Sequence, residues 1–363
     1  MALDSLETSL HDDSPFISIE EALSNTEMKY PNSYLKSAVE FLAGNESYSG
    51  HSDAMCSQGD LIVDGIARKT NGDQYDLVVD DTSKIVKGIA SEADFNLENV
   101  NLNQKCVSIK YNEEIENYSI YFDSKKKVLS KSVIMTVPIA QLQKRKIEMN
   151  FIPKSKWNLI DQLPVAHFAN VFVLLEETIA FDQNTWYIPT GTFGDIVQPF
   201  RTVRMDRFIH ETHGKSLLHF MTVGENAKER FEILLPRDFA FVQFKIKSWF
   251  KSVCSMKDQS LIKTVEYICQ KVYNERVKIK NISHPKWSND SNYECAYTNT
   301  PVLNRGESGK EFYSALCSPL KRETFHFAGE AFDYLNGGFM QGAYYSGNRA
   351  AEKLLANKIL QRL

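Results

Sequence analysis

The middle of the chain carries the clearest pattern of hydrophobic and polar positions. Residues 107–111 and 118–122 alternate between apolar and polar side chains, as the two strands of a hairpin do. Residues 132–138 form an apolar run that ends in a proline, which is typical of a buried strand. Ahead of this unit, residues 82–90 have helical spacing behind a capping aspartate or threonine. We therefore expect a helix followed by a strand-rich unit.

Other segments alternate between the two kinds of secondary structure. Short apolar runs predict strands, and large apolar side chains at helical spacing predict helices with one buried face. The predicted strands are residues 168–175, 217–220 and 277–287, and the predicted helices are residues 14–24, 31–43, 238–253 and 259–273. The mixture predicts an α+β (mixed α/β) fold.

The last forty residues predict a short apolar strand, a loop with paired glycines and a helix that runs to about Leu360. Small side chains on this helix recur three to five residues apart, so that one face admits another backbone closely. They are Gly342, Ser346, Gly347, Ala350 and Ala351. A helix N-terminus offers free N–H groups to an electron-rich planar ligand, and Glu330 is available for a hydroxyl group. The alternative is tight packing of helix on strand without a ligand.

Composition and charge exclude several classes of function. The chain has 363 residues, 43% of them hydrophobic, enough for one large or two ordinary domains. A net charge of −4 argues against a nucleic-acid surface. No run of about eighteen apolar residues predicts a membrane span. Six cysteines without a C-x-x-C pair predict reduced thiols and a cytoplasmic location. His210 and His213 have no third metal ligand near them in sequence, so no metal site is expected.

The C-terminal segment resembles the flavin-binding motif of the flavin-containing amine oxidases, the family of monoamine and polyamine oxidases. The shared pattern is F-A-G-E-A, a short loop, then G-F-M-Q-G-A and S-G-x-x-A-A. The resemblance implies FAD as the cofactor. It implies that these residues bind it: Gly329, Glu330, Gly338, Phe339, Met340 and Ala343. Because no cysteine stands just before the G-F-M motif, the resemblance implies non-covalent FAD.

The strand-rich unit extends this resemblance. By its position, Val107 corresponds to a valine that covers the adenine, while Thr136 and Pro138 belong to the strand under the cofactor. Relatives usually have a glycine pair where this chain has Asp81 and Thr82, so we expect a different local backbone there.

Residues 287–297 resemble the family's W-x-x-(D/E)-P-x-x-x-G-(S/C)-Y segment. The resemblance implies that Trp287 contributes to the cofactor site and that Tyr297 faces Phe339 across a substrate channel, both rings being catalytic. The electronegative faces of two aromatic rings suit a neutral or cationic amine. The alternative for Tyr297 is ordinary core packing.

Two departures from the family pattern bear on catalysis. None of the 17 glycines falls in the G-x-G-x-x-G spacing that brings backbone N–H groups to a pyrophosphate. The chain thus looks like the C-terminal three-quarters of an amine oxidase. Asn170 stands where relatives usually carry a lysine that holds a water near the flavin. Asparagine can bind water but carries no charge, which implies slower reoxidation by oxygen.

The resemblance implies a two-domain flavin amine oxidase-like fold. Residues 75–140 and 318–363 would form an incomplete FAD-binding domain, and residues 1–74 and 141–317 a substrate domain of sheet and helices. The implied activity is hydride transfer from an amine α-carbon to flavin, with oxygen as the electron acceptor. The implied partners are an amine substrate and a partner chain or upstream segment that completes the FAD site. Two alternatives stay open, namely an inactive pseudoenzyme or interaction module, and a fragment of a longer amine oxidase.

Overall fold

The computed structural model describes most of the middle and the end of the chain. The described residues are 83–176, 202–205, 217–223, 277–283, 287–304 and 306–360, with the single positions 17, 18, 21, 262, 266 and 270. The predictions for residues 31–43 and 238–253, most of 14–24 and of 259–273, and the histidines at 210 and 213 lie outside the described residues.

Helices and strands occur together, which confirms the predicted mixed α/β class. The helices are α1 (Ser83–Glu92), α2 (Ile139–Gln143), α3 (Lys154–Gln162), α4 (Gly309–Leu316) and α5 (Met340–Leu360). The strands are β1 (Cys106–Asn112), β2 (Asn117–Phe122), β3 (Lys127–Ser130), β4 (Val133–Met135), β5 (Val165–Ala166), β6 (Phe168–Leu175), β7 (Thr202–Met205), β8 (Leu217–Val223), β9 (Ile279–Ser283), β10 (Tyr297–Thr298) and β11 (Phe325–Phe327). Among the described residues, no helix has the length and apolar character that crossing a membrane requires.

The predicted hairpin is confirmed. Strands β1 and β2 pair antiparallel, with Ile109 opposite Ile120, and β3 adds a third strand beside β2. Tyr118 on β2 is fully buried. Its ring lies 5.7 Å from that of Phe151 and 5.8 Å from that of Phe325, which ties the hairpin to β11.

Strands β4 and β11 form a parallel pair that places the later site. Met135 lies opposite Phe327, and the N–H of Ala328 donates to the carbonyl of Met135 at 2.9 Å. The strand predicted over residues 132–138 is shorter than expected, because Pro138 has no N–H and becomes the N-cap of α2. Both strands therefore end at one edge of the pair, the edge at which α/β folds bind ligands.

A four-stranded antiparallel sheet, in the order β7-β8-β6-β9, lies next along the chain. Its strands confirm the predictions for residues 168–175 and 217–220, and β9 lies inside the predicted 277–287. The two-residue strand β10 pairs with β5, so that Tyr297 lies opposite Ala166. Since β6 begins two residues after β5, the strand with Asn170 starts close to the strand with Tyr297.

One core joins these pieces. Ile109, Leu142, Ile160 and Phe325 are at most 1% exposed and belong to a single buried cluster. Its members come from both sides of the predicted domain boundaries at residues 140 and 317. The division into two domains stays a prediction.

The small residues of α5 lie on two faces of the helix. A Cβ at Gly342 would lie 2.1 Å from the carbonyl oxygen of Asn336, and Ser346 and Ala350 are buried on the same side. A Cβ at Gly347 would meet nothing within 4 Å, and Ala351 is exposed. The predicted close approach is confirmed for Gly342, Ser346 and Ala350 and wrong for Gly347 and Ala351, because each residue turns the helix by about 100°.

Lys156 is a buried cation at the end of another helix. Its side chain is 3% exposed, and Nζ donates to the carbonyls of Ala315, Leu316 and Ser318 at 2.6–2.9 Å. These carbonyls lie at and just beyond the C-terminus of α4, where a cation is favoured by the helix dipole. Burial lowers the pKa of Lys156 to about 8.

Substituting the two glycines of α5 should move stability in opposite directions. Gly342→Ala forces Cβ into the Asn336 carbonyl, and we expect a loss of roughly 1–3 kcal/mol. Gly347→Ala has open space and removes backbone freedom in a helix, so we expect a gain of about 0.5–1 kcal/mol. Urea unfolding of both variants measures the difference, and changes of the same sign would contradict the packing.

Lys156 should also make stability depend on pH. Between its folded pKa of about 8 and its ordinary 10.5, the unfolded chain binds more protons, so stability rises with pH in that window. Compared with Lys156→Met, the wild type should therefore gain stability as the pH rises from about 7 to about 10. Urea unfolding across this range measures it. Lys154→Met, an exposed lysine on the same helix, is the control and should follow the wild type.

Candidate active site

The candidate site is built around the carboxylate of Glu330. A 3-10 helix, Glu330–Phe332, follows β11 through Gly329, whose φ of +127° favours glycine. The Oε2 atom of Glu330 accepts hydrogen bonds from Thr298 Oγ1 at 2.6 Å, from Thr298 N–H at 3.3 Å and from Gly338 N–H at 2.9 Å. One oxygen atom thus joins the end of β11, the strand β10 and the loop before α5.

The two oxygens of Glu330 have different surroundings. Burial raises the pKa of Glu330, and the three hydrogen bonds from Thr298 and Gly338 oppose this rise without cancelling it. In the part of the chain that the structure describes, the second oxygen, Oε1, accepts no hydrogen bond. Oε1 can therefore accept a hydrogen bond from a ligand hydroxyl group.

The Glu330 carboxylate brings the segments with the two predicted catalytic rings together. Gly338 has φ +79°, and a Cβ on it would lie 3.4 Å from Tyr297 Cδ2 and 3.3 Å from the Thr298 carbonyl oxygen. The missing side chain therefore lets the loop pack against the Tyr297 ring. Phe339 is the next residue after Gly338. That the rings of Tyr297 and Phe339 face each other stays a prediction.

The N-terminal part of α5 is hydrogen-bonded to the residue that precedes Glu330. The N–H of Gly329 donates to Ser346 Oγ at 2.9 Å, and that oxygen lies 3.1 Å from the carbonyl of Ala343. A Cβ at Gly329 would meet nothing within 4 Å, so its outer side is open. Met340 is 54% exposed, and among the described residues its N–H has no acceptor, as expected in the first turn of a helix.

Two further predicted cofactor residues lie at the same edge. Thr136 follows β4 directly and is exposed, and Pro138 begins α2. Because β4 and β11 are parallel and in register, Thr136 follows its strand at the level where Ala328 and Gly329 follow theirs. The structure thus collects these residues and Glu330 at the carboxyl ends of the pair.

Three predicted residues lie on other elements of the structure. Val107 is in the β1–β2–β3 sheet, 37% exposed, and its carbonyl accepts from the N–H of Glu148. Trp287 is 46% exposed and packs edge-on against Tyr293, with ring centroids 5.1 Å apart. Asn170 lies on β6 opposite Met221. The roles proposed for Val107, Trp287 and Asn170 stay predictions.

The sequence reasoning missed Thr298 and the brace around Asp333. Asp333 is 3% exposed, and its Oδ1 accepts from the N–H groups of Leu335 and Asn336 at 3.2 and 2.8 Å. Arg349 donates to Asp333 Oδ2 at 2.6 Å and to the Phe332 carbonyl at 2.9 Å. The spacing D-x-x-N-G-G is a turn signal that could have identified Asp333. For Thr298, the only signal in the sequence was its position next to Tyr297.

Comparison with known proteins decides the family. Residues 72–355, more than three-quarters of the chain, match the family model described as flavin containing amine oxidoreductase. The chain belongs to this family. Membership implies FAD as the cofactor and amine oxidoreduction as the general class of reaction. No curated protein sequence matches the chain closely enough to count as a relative.

Solved structures of amine oxidases share this family member's fold. A triple mutant of putrescine oxidase superposes with a TM-score of 0.68 and 12% identity, over 98% of this chain and 73% of that chain. Cyclohexylamine oxidase from Brevibacterium oxydans IH-35A superposes with a TM-score of 0.66 and 14% identity, over 99% of this chain and 74% of that chain. At these identities the likeness concerns the fold alone.

The residues of this edge fit part of an FAD molecule. FAD carries a planar ring system with carbonyl oxygens at one edge, a hydroxylated chain and a pyrophosphate. The open Oε1 of Glu330 suits a hydroxyl group, and the open side of Gly329 admits a close approach. The N–H of Met340, at the positive end of the α5 dipole, suits an electron-rich carbonyl edge.

Arg349 should contribute more to stability than a matched surface arginine. Arg349→Ala leaves the buried Asp333 carboxylate without its cation, and we expect a loss of roughly 1–3 kcal/mol. Arg322 pairs with Glu116 at the surface, so Arg322→Ala should cost less than about 1 kcal/mol. Urea unfolding compares the two variants. Equal losses would show that the Asp333 brace does not hold this loop.

Proposed function

We propose that this family member oxidises an amine with FAD and oxygen. The amine loses a hydride from the carbon beside its nitrogen and a proton from the nitrogen, which gives an imine that water hydrolyses. Molecular oxygen takes up the two electrons and two protons and becomes hydrogen peroxide. Bound FAD supplies the redox chemistry, and the protein supplies binding and orientation. The observation that supports this site is the carboxylate of Glu330, bonded to Thr298 and Gly338 beside the two predicted rings.

The chain's own residues divide the remaining work. Tyr297 and Phe339 form the walls of the amine slot and exclude water from the reacting carbon. The N–H of Met340 donates to an electron-rich edge of the ligand, and Oε1 of Glu330 accepts from a ligand hydroxyl group. Asn170 offers a neutral hydrogen-bonding group in place of a lysine, so the step that consumes oxygen is slow.

A further polypeptide unit, a partner chain or an upstream segment, completes the pyrophosphate site in this proposal. Each residue of α1 is at least partly exposed, and Val100, Leu102 and Ile134 are 47%, 76% and 38% exposed. About a quarter of the putrescine oxidase chain has no counterpart in this chain. Apolar side chains at the surface of a cofactor domain favour a protein neighbour there.

We also propose a reducing, cytoplasmic location. The three cysteines in the described ranges, Cys106, Cys295 and Cys317, are free. Burial raises the pKa of the Cys295 and Cys317 thiols to about 11, so both are protonated and unreactive at neutral pH.

Flavin content and peroxide release test the proposed function. The tagged protein, purified from its own cells so that a completing unit can accompany it, should show the visible absorption bands of oxidised flavin. After putrescine or cyclohexylamine is added, the protein should release hydrogen peroxide in proportion to the oxygen consumed.

Two glycine variants give the matched control for this test. Gly338→Ala places a methyl group against Tyr297 and Thr298 and should lower flavin content by about tenfold or more. Gly306→Ala has the same kind of backbone, φ +90°, in open space, and should keep its flavin. A folded wild type that takes up no added FAD, although it was purified together with the proteins that accompany it in its own cells, would contradict the proposal and favour the interaction module.

A further inference from the structure

The hydrogen bonds of Glu330 have an arrangement that cofactor binding does not require. All three donors converge on Oε2, and none of them is on Oε1. Two donors belong to Thr298, which directly follows Tyr297, and the third is the N–H of Gly338, which directly precedes Phe339. The same atom is therefore bonded to the backbone beside each wall of the proposed slot.

We propose that Glu330 is a positioning residue that fixes the spacing of the Tyr297 and Phe339 walls and so limits which amines enter. This inference rests on the proposed function. Because Oε2 lies 2.6 Å from Thr298 Oγ1 and 2.9 Å from the Gly338 nitrogen, neither segment can move away from the other without lengthening a bond.

Each wall is also held by backbone bonds within its own part of the chain. The N–H groups of Ala296 and Asn299 donate to the carbonyls of Ala166 and Pro164 at 2.9 and 3.1 Å, which extends the pairing of β10 with β5. In the loop before α5, the N–H of Phe339 donates to the carbonyl of Asn336 at 3.2 Å. None of these bonds crosses from one segment to the other, whereas Oε2 of Glu330 is bonded to both.

The two oxygens of Glu330 separate positioning from ligand binding. In Glu330→Gln, the amide oxygen can take the place of Oε2 and keep the three donors, while an NH₂ group replaces Oε1. Thr298→Val removes the 2.6 Å bond and leaves Oε1 unchanged. Thr298→Ser keeps the hydroxyl group and is the conservative control.

Two measurements on the purified protein test the inference. Hydrogen exchange at the Thr298 and Gly338 N–H groups reports the tether without any flavin or substrate. The ratio of kcat/KM for cyclohexylamine to that for putrescine reports the width of the slot. Should Glu330→Ala fail to fold, the Thr298 variants still provide both measurements.

The expected results differ between variants. Glu330→Ala should speed exchange at both N–H groups by about tenfold or more, the effect of losing one hydrogen bond to a carboxylate. Thr298→Val should change the ratio of the two kcat/KM values by at least about threefold without changing flavin content. Thr298→Ser should have the wild-type ratio. Glu330→Gln should keep slow exchange and the wild-type ratio.

Three outcomes would contradict either the positioning role of Glu330 or the proposed amine oxidation. An unchanged amine ratio in Thr298→Val would overturn the positioning role. A changed ratio in Glu330→Gln, with slow exchange preserved, would also overturn it and assign the effect to Oε1 and the ligand. If Glu330→Ala exchanges fast but the wild type oxidises no amine, the tether stands and the proposed function has failed.

Discussion

The site depends on one carboxylate oxygen that accepts three hydrogen bonds. A carboxylate taken out of water is costly unless donors replace its solvent shell. For Glu330 these donors come from Thr298, 32 positions earlier, and from Gly338, eight positions later. Burial of this side chain therefore forces two distant parts of the chain to meet. Strand β10, which carries Tyr297, and the loop that precedes Phe339 are both bonded to this oxygen rather than paired with each other as strands.

Short elements explain why side-chain bonds carry so much of the geometry here. Strand β10 has two residues, β11 has three, and the 3-10 helix after β11 has three, so few backbone bonds hold them. Polar side chains complete the restraint. Ser346 fastens Gly329 to α5, and Arg349 joins Asp333 and the Phe332 carbonyl to the same helix. The long helix α5 thus acts as the support to which the loops are attached.

Local pattern predicted the elements, and long-range contact decided the site. The hairpin of β1 and β2 followed from alternation, and α5 from its helical run to Leu360. The prediction grouped Gly347 with Gly342, which is five residues earlier. In a helix, residues three or four apart share a face, whereas residues five apart do not. Thr298 was missed because its bond to Glu330 exists only in the folded chain. The family motif named Glu330 and Gly338 but carried no information on the bond that joins them.

The two oxygens of Glu330 differ in a way that suits the proposed cofactor. Oε2 accepts three hydrogen bonds, and within the described ranges Oε1 accepts none. Oε1 is not one of the buried side-chain atoms that lack a partner, so solvent reaches it and a ligand can reach it as well. This asymmetry lies at the carboxyl ends of a parallel strand pair and beside the first turn of α5. Under the proposed function, a hydroxyl group of the cofactor takes the place of water on Oε1, while Oε2 keeps its three donors from the protein.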